Sequence, residues 1–339
     1  AWEDSFSKAR NISLKYATCD WILILDADEE VDKEDARKLR DVIRDNIVNM
    51  IYLPVFSRFN KGKDLAACNS ERIFRNHLGF YYEGIVHNSL KHAGNIKRIS
   101  KKANIRLYHY GYDLNEAQME KKFIRSSKLL REQINTNPED PKPHYYLSNS
   151  YLERNMYKES INEALVAIRL FESQGIDTQL RALSYQTAGT AFFHIKDMIN
   201  AEDYALKAID LFPDYVDAHF LLSSIYLRRK EYDKCIETSK TYLMLLRSIE
   251  ADTSTVPVIQ CNSLHHAWLA YSRMAIIYFE QGKAHDGDQA LSDAVTNTDK
   301  KWEPYDVIGK HFKEQGDIKM AEKFYKVGLE LKHIDNNKS

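Results

Sequence analysis

Hydrophobic and polar positions follow one rhythm in the first third of the chain. Residues 6–17 carry apolar side chains at helical spacing, with Phe6, Ala9, Ile12 and Leu14 among them, and predict a helix. An unbroken apolar run follows, Trp21-Ile-Leu-Ile-Leu25, suited to a strand buried on both faces of a sheet. It ends abruptly in Asp26-Ala27-Asp28-Glu29-Glu30. Residues 33–46 read as a second helix and residues 50–56 as a second buried strand closing on Pro54. Residues 72–75, 85–87 and 105–109 suggest further short strands. Helix alternating with buried strand predicts an α/β layer.

The rhythm changes at Pro141. From there a 34-residue template fits five times, starting at Pro141, Ala182, Val216, Trp268 and Trp302. Its eighth position is always small: Ser148, Gly189, Ser223, Ala275, Gly309. Its eleventh is always aromatic: Tyr151, Phe192, Tyr226, Tyr278, Phe312. Its twentieth is again small (Ser160, Ala201, Cys235, Gly287, Ala321), and its twenty-seventh is Ala167, Ala208, Tyr242, Ala294, Gly328. Small residues let two antiparallel helices approach closely, and the ring fills the wedge to the next pair. Insertions fall at 173–180 and 248–266, and the polar stretch 251–257 reads as an exposed loop. The pattern resembles the tetratricopeptide repeat (TPR) family. That resemblance implies a curved scaffold whose concave face binds a peptide or another subunit, or else an array that pairs two copies or braces its neighbour.

Charge narrows the classes. Basic and acidic residues, 48 and 49, cancel to a net charge of -1, with no basic stripe of the kind nucleic-acid binders carry. No apolar run approaches the roughly 20 residues that span a bilayer. Four scattered cysteines (Cys19, Cys68, Cys235, Cys261) lack metal-finger spacing and suit reduced thiols in a cytoplasmic protein.

The candidate chemistry lies in Asp26-Ala27-Asp28. Two carboxylates one residue apart, at the C-terminal end of a buried strand, stand where open α/β sheets bind ligands. Such a pair offers oxygens to a hard divalent cation, Mn²⁺ or Mg²⁺, which neutralises charge on a departing diphosphate. The alternative is that both merely cap the following helix. Around them, Ser7-Lys8-Ala9-Arg10-Asn11, Asp20-Trp21-Ile22-Leu23-Ile24-Leu25-Asp26-Ala27-Asp28-Glu29, Arg72-Ile73-Phe74-Arg75-Asn76, Glu83-Gly84-Ile85-Val86-His87 and Tyr108-His109-Tyr110-Gly111-Tyr112 occur in order. Together they resemble a family 2 glycosyltransferase, a branch that often carries C-terminal TPRs.

The resemblance implies a partial GT-A (nucleotide-diphospho-sugar transferase) α/β domain at 1–112, a linker helix at 113–140, an all-α TPR solenoid at 141–333 and a tail at 334–339. It implies an inverting transfer from a nucleotide-sugar donor to a peptide, protein or glycan acceptor, with a TPR homodimer as a further expectation. Asp26 and Asp28 match the metal and diphosphate motif. Arg10 would touch the diphosphate, or else lie on a helix surface. Arg72 and Arg75, read as sharing one strand face, would contact phosphate or acceptor, or else line an exposed face. His87 or His109 would complete the metal shell, the alternative for each being a hydrogen-bonded core histidine. The family commonly has Glu where this chain has Asn88, and an amide cannot act as a base. Glu83 is the nearest substitute, and the base is otherwise unassigned. Strands that bind the nucleoside would precede Trp2. The competing reading is a non-catalytic TPR scaffold carrying a remnant glycosyltransferase domain.

Overall fold

The computed structural model describes residues 6–59, 64–84, 89–94, 96–110, 116–176 and 178–336. It divides into two compact units, Ala1–Asp113 with Ile249–Gln260, and Leu114–Ser248 with Cys261–Ser339.

The first unit is a partial α/β sheet domain. Helix α1 (Phe6–Lys15) leads into β1 (Trp21–Leu23) and β2 (Glu29–Val31), followed by a short helix α2 (Leu39–Val42). Strands β3 (Met50–Phe59) and β4 (Asp64–Arg75) form a long antiparallel pair, and β5 (Phe80–Glu83) pairs with β6 (Ser89–His92) in a separate ribbon. Strands β7 (Ser100–Lys102) and β8 (Leu107–His109) both run parallel to β3. The main sheet has the order β1-β4-β3-β8-β2, with β7 also on β3.

Strand alternation divides the apolar side chains between two faces. Ile51, Leu53, Val55, Ile73, Ile105 and Leu107 pack on one, with Leu39, Val42 and Ile43 from the α2 region laid against them. Ile22, Met50, Phe74, Tyr82 and Leu90 form the core of the other.

Four expectations change. The apolar run at 21–25 forms a strand only over Trp21–Leu23, with Ile22 buried, its two neighbours half-buried and Leu25 exposed, so it is not enclosed on both faces. The helix at 33–46 shrinks to a 3₁₀ turn (Ala36–Lys38) and α2, because Asp32 and Asp35 spend their carboxyls on Arg106 beside β8. Pro54 does not close β3, which runs five residues further to Phe59. The stretch 251–257 is exposed only in part: Ala251, Asp252 and Thr255 face solvent, but Val256 is fully buried, Asn69 donates its backbone N–H to the Pro257 carbonyl (2.8 Å), and the Asn69 side-chain amide donates to Ser254 O (3.0 Å) and Val256 O. The segment therefore covers part of the β4 edge, which would otherwise present unpaired backbone groups.

In the second unit, α3 (Glu116–Thr136) precedes five helix pairs among the described residues. They are α4 (Pro141–Glu153) with α5 (Tyr157–Gln174), α6 (Thr178–His194) with α7 (Met198–Leu211), α8 (Val216–Arg228) with α9 (Tyr232–Ala251), α10 (Ala267–Glu280) with α11 (Ala284–Thr296), and α12 (Glu303–Glu314) with α13 (Ile318–Asn336). This is the all-α repeat solenoid. The small positions do what their spacing implied. A Cβ on Gly189 would lie 3.2 Å from Ala201 O, and one on Gly309 3.3 Å from Ala321 O, so eighth and twentieth positions meet at the crossing. The fifteenth position of every repeat is left-handed: Asn155, Lys196, Lys230, Gly282 and Gly316 have φ of 58°, 67°, 59°, 71° and 83°. That turn closes each helix pair.

Candidate active site

The acidic segment after β1 forms a tight turn into β2 rather than a helix cap. The Glu29 N–H donates to Asp26 O (3.0 Å), and the Asp26 N–H returns a bond to Glu29 Oε2 (2.9 Å). Strand β2 then pairs antiparallel with β8, which sets Glu29 opposite His109. The Tyr110 N–H donates to Asp28 O (3.0 Å) and extends the pairing past the turn.

Each acidic side chain meets a different partner. Arg10 Nη2 donates to both oxygens of Asp26, at 2.6 and 2.7 Å. Arg72 grips Glu29 with two bonds, Nη2 to Oε1 at 2.6 Å and Nη1 to Oε2 at 2.9 Å. His109 Nε2 stands 3.2 Å from Asp28 Oδ2, with its Nδ1 3.3 Å from Ser57 Oγ. The Glu29 and Arg72 side chains are 2% and 12% exposed, whereas those of Asp26 and Asp28 are 42% and 49% exposed. The pair behind the turn is thus buried and the pair in front of it is open.

Helix α1 is fixed on the β5 ribbon by Asn11, whose amide donates to Tyr82 O (2.8 Å) and accepts from the Tyr82 N–H (2.7 Å). The Arg10 guanidinium lies 5.0 Å from the Tyr82 ring centre. Burial pushes the Tyr82 hydroxyl above its ordinary value, and the nearby Arg10 and Arg72 charges oppose that rise.

Arg10, Asp26, Asp28, Arg72 and His109 are brought together, with Glu29 added. Arg75 is not. It is three residues from Arg72, and strand residues an odd number apart face opposite ways; the shared face expected for them does not form. Arg75 bonds the carbonyls of Val48 (3.2 Å) and Asp45 (3.1 Å) and stacks 4.6 Å over the Trp21 ring. Glu83 ends β5 exposed, one residue from Tyr82 and so turned to the other face. His87 and Asn88 lie outside the described residues.

Among the described residues no three His, Cys, Asp or Glu side chains converge as a closed metal cage. A magnesium-like ion does not need one, since it takes one or two protein ligands and fills the rest with water and phosphate oxygens. Asp28 and His109 supply such a pair. In the tautomer that donates Nδ1–H to Ser57 Oγ, His109 Nε2 would keep a lone pair 3.2 Å from Asp28 Oδ2, a separation two ligands of one cation can have. The residues fit a divalent cation.

Residues 2–102 match the family described as Glycosyl transferase family 2. Over 146 residues the chain is 28% identical to a TPR repeat-containing protein of Synechococcus elongatus, covering 41% of this chain and 36% of that protein. The chain joins a family 2 glycosyltransferase segment to tetratricopeptide repeats. The SPbeta prophage-derived glycosyltransferase SunS of Bacillus subtilis (strain 168) is 29% identical over 141 residues, 42% of this chain and 33% of SunS. The chain thus spans about a third of the length of the curated relatives it matches. Among solved structures, MamA aligns over 53% of this chain and 91% of its own at 19% identity, with a TM-score of 0.43.

Within the glycosyltransferase segment, sequence reasoning passed over Glu29, Ser57 and Tyr82, and quoted Asn11 without giving it a role. Glu29 and Asn11 stood inside the quoted motifs. Ser57 and Tyr82 carried no signal, since their roles come from contacts 52 and 71 residues away along the chain.

Proposed function

We propose that the chain is the cation-binding and acceptor-presenting part of a glycosyltransferase that uses a nucleotide-sugar donor. The observation that carries this reading is the convergence of Asp28 and His109 in front of the turn, flanked by the Arg10–Asp26 pair. Asp28 and His109 would hold Mn²⁺ or Mg²⁺, and Ser57 would keep the imidazole tautomer that presents Nε2. When bound, the cation supplies Lewis-acid stabilisation of negative charge on a nucleoside diphosphate. Arg10 stands beside this position with its guanidinium on Asp26, and the Tyr82 ring limits its swing. Arg10 can release one carboxylate oxygen to meet a phosphate without losing the other. The acceptor nucleophile would displace the diphosphate in line, and the repeats would present the acceptor, a peptide or protein, or pair two copies. A reducing cytoplasmic setting agrees with four cysteines that are not joined in disulfides. Among the described residues no helix is long and apolar enough to cross a membrane.

The test is Mn²⁺-dependent hydrolysis of a panel of UDP- and GDP-sugars by the protein that carries this chain. Asp28→Ala and His109→Ala should each lower the rate on the order of 100-fold, while Arg75→Ala should keep it. Equal rates in the parent, Asp28→Ala and His109→Ala would sink the cation role. The competing reading, a non-catalytic TPR scaffold with a remnant transferase segment, is favoured by Asn88 standing where the family commonly has Glu. It predicts no hydrolysis above background in any variant.

A further inference from the structure

Arg72 was expected to reach substrate, but its surroundings give it another task. The β3–β4 register slips between Ile51 and Tyr52: Ile51 faces Ile73 and Tyr52 faces Glu71. Arg72 is therefore the extra residue of a β-bulge, a device that re-aims a side chain and occurs next to active sites. Its backbone carbonyl still accepts the Ile24 N–H at 2.9 Å, so the bulge is anchored to the strand that delivers the acidic turn. Its side chain leaves the ladder and meets Glu29, and both terminal guanidinium nitrogens are committed there at 2.6 and 2.9 Å. Its Nε is buried without an acceptor, a cost that makes sense only if the fork on Glu29 matters.

Glu29 passes the constraint on. The oxygen that accepts from Arg72 Nη1, Oε2, also accepts the Asp26 backbone N–H at 2.9 Å, and the Glu29 N–H closes the ring onto Asp26 O at 3.0 Å. A carboxylate with 2% exposure thus ties both ends of the turn that displays Asp28, and the far side of that turn is tied by the Tyr110 N–H on Asp28 O. Asp28 itself makes neither contact with its side chain, which stays free to face His109.

From this arrangement we infer that Glu29 and Arg72 are a positioning pair, which sets the Asp28 carboxylate for a divalent cation and does not itself touch donor or acceptor. The inference rests on the cation role proposed above for Asp28 and His109. A buried ion pair adds little stability over an apolar pair of the same volume, so the geometry it imposes is the property to test here. Partners behind a metal ligand typically govern affinity by roughly 10- to 100-fold.

The experiment is Mn²⁺ binding to the full chain, followed by electron paramagnetic resonance of the free ion, with the metal-free thermal midpoint recorded for every variant. Glu29→Gln keeps the size and one acceptor for the Asp26 N–H but removes the charge. Arg72→Lys keeps the charge but loses the fork. Both should weaken Mn²⁺ binding roughly 10- to 100-fold in protein that remains folded, and Asp28→Ala should abolish it. If both variants bind Mn²⁺ as tightly as the parent while Asp28→Ala does not, the positioning role is overturned and the cation site stands. If Asp28→Ala binds like the parent, the cation role itself has failed. A purely structural pair would lower the thermal midpoint and leave the affinity of the folded fraction unchanged, which also overturns the inference. Should Glu29→Gln not yield folded protein, Arg72→Lys decides alone.

Discussion

Asp35 offers a quantitative test of what holds β8 beside β2. Its Oδ2 accepts from the Arg106 backbone N–H (3.1 Å) and from Arg106 Nε (2.7 Å), and its Oδ1 from Lys38 Nζ (2.7 Å). Arg106 sits between Ile105 and Leu107, both fully buried, and its carbonyl accepts the Asp32 N–H at 2.9 Å. Burial acts to raise the Asp35 carboxyl, but the Arg106 and Lys38 hydrogen bonds outweigh it and bring it from 3.8 down to about 2. At 1.36 kcal/mol per unit, and discounted because Lys38 and Arg106 both reach solvent, the lowering is worth about 2 kcal/mol. Asp35→Asn should therefore speed amide exchange across residues 100–110 about 30-fold at pH 7, read by hydrogen-exchange mass spectrometry. The sign follows from the direction of the shift. A lowered carboxyl contributes fully above its unfolded value and loses the contribution as pH falls through its folded value. The gap between variant and parent should thus persist at pH 4.5 and shrink to roughly a few-fold at pH 2.5. Equal exchange at pH 7, or a gap indifferent to acid, would refute the reasoning.

Four further outcomes are expected. Asp217, buried at the start of α8, accepts the N–H groups of Asn262 (2.8 Å) and Ser263 (2.9 Å) and the Ser263 hydroxyl (2.6 Å). Asp217→Ala should cost the solenoid about 2–4 kcal/mol in urea unfolding followed by circular dichroism, and a loss under about 0.5 kcal/mol would contradict the anchoring role. Lys196 is exposed with φ of 67°, so Lys196→Gly should stabilise by about 0.5 kcal/mol in the same assay, the relief of left-handed strain slightly exceeding the entropy cost of glycine. At Gly189 an added Cβ would stand 3.2 Å from Ala201 O and Leu221 Cδ2, and Gly189→Leu should destabilise by about 1–3 kcal/mol or more. Asn69→Ala removes the side-chain bonds to Ser254 and Val256 and should make residues 251–257 a new site of limited proteolysis; unchanged protection would show that the remaining Asn69 N–H contact suffices.

The repeats were legible because their rule is local and recurs. Small residues twelve apart must face each other across every helix pair, and five copies of one constraint stand out from any single exception. The left-handed fifteenth position was not legible, because Asn, Lys and Gly all fill it. In the sheet unit the readable part was the start of β1, marked by its apolar run, although that strand ends at Leu23 and Leu25 is exposed. What failed depended on distant partners. Residues 33–46 have helical spacing, yet Asp35 finds Arg106 71 residues away and the chain bends to reach it. Residues 251–257 are polar and contain proline, yet they meet Asn69 across nearly two hundred positions. The shared face of Arg72 and Arg75 ignored the parity of a strand, and even correct parity would have missed the bulge, since bulges arise from pairing.

The charges around the turn explain why Asp28 is the carboxyl on offer. Three acidic side chains lie within four residues, and buried or half-buried charges persist only when paired. Glu29, almost fully enclosed, takes the two-pronged Arg72, and Asp26 takes Arg10. Two guanidinium groups thus answer two of the three carboxylates. Among the described residues the third meets the His109 imidazole rather than a guanidinium, and it is also the most exposed of the three. Three carboxylates against two guanidinium groups leave one negative charge over, the imbalance that the proposed divalent cation would offset. The pairing thus separates the three carboxyls: Asp26 lies on Arg10, Glu29 on Arg72, and Asp28 beside His109, which is why the proposed cation role falls to Asp28.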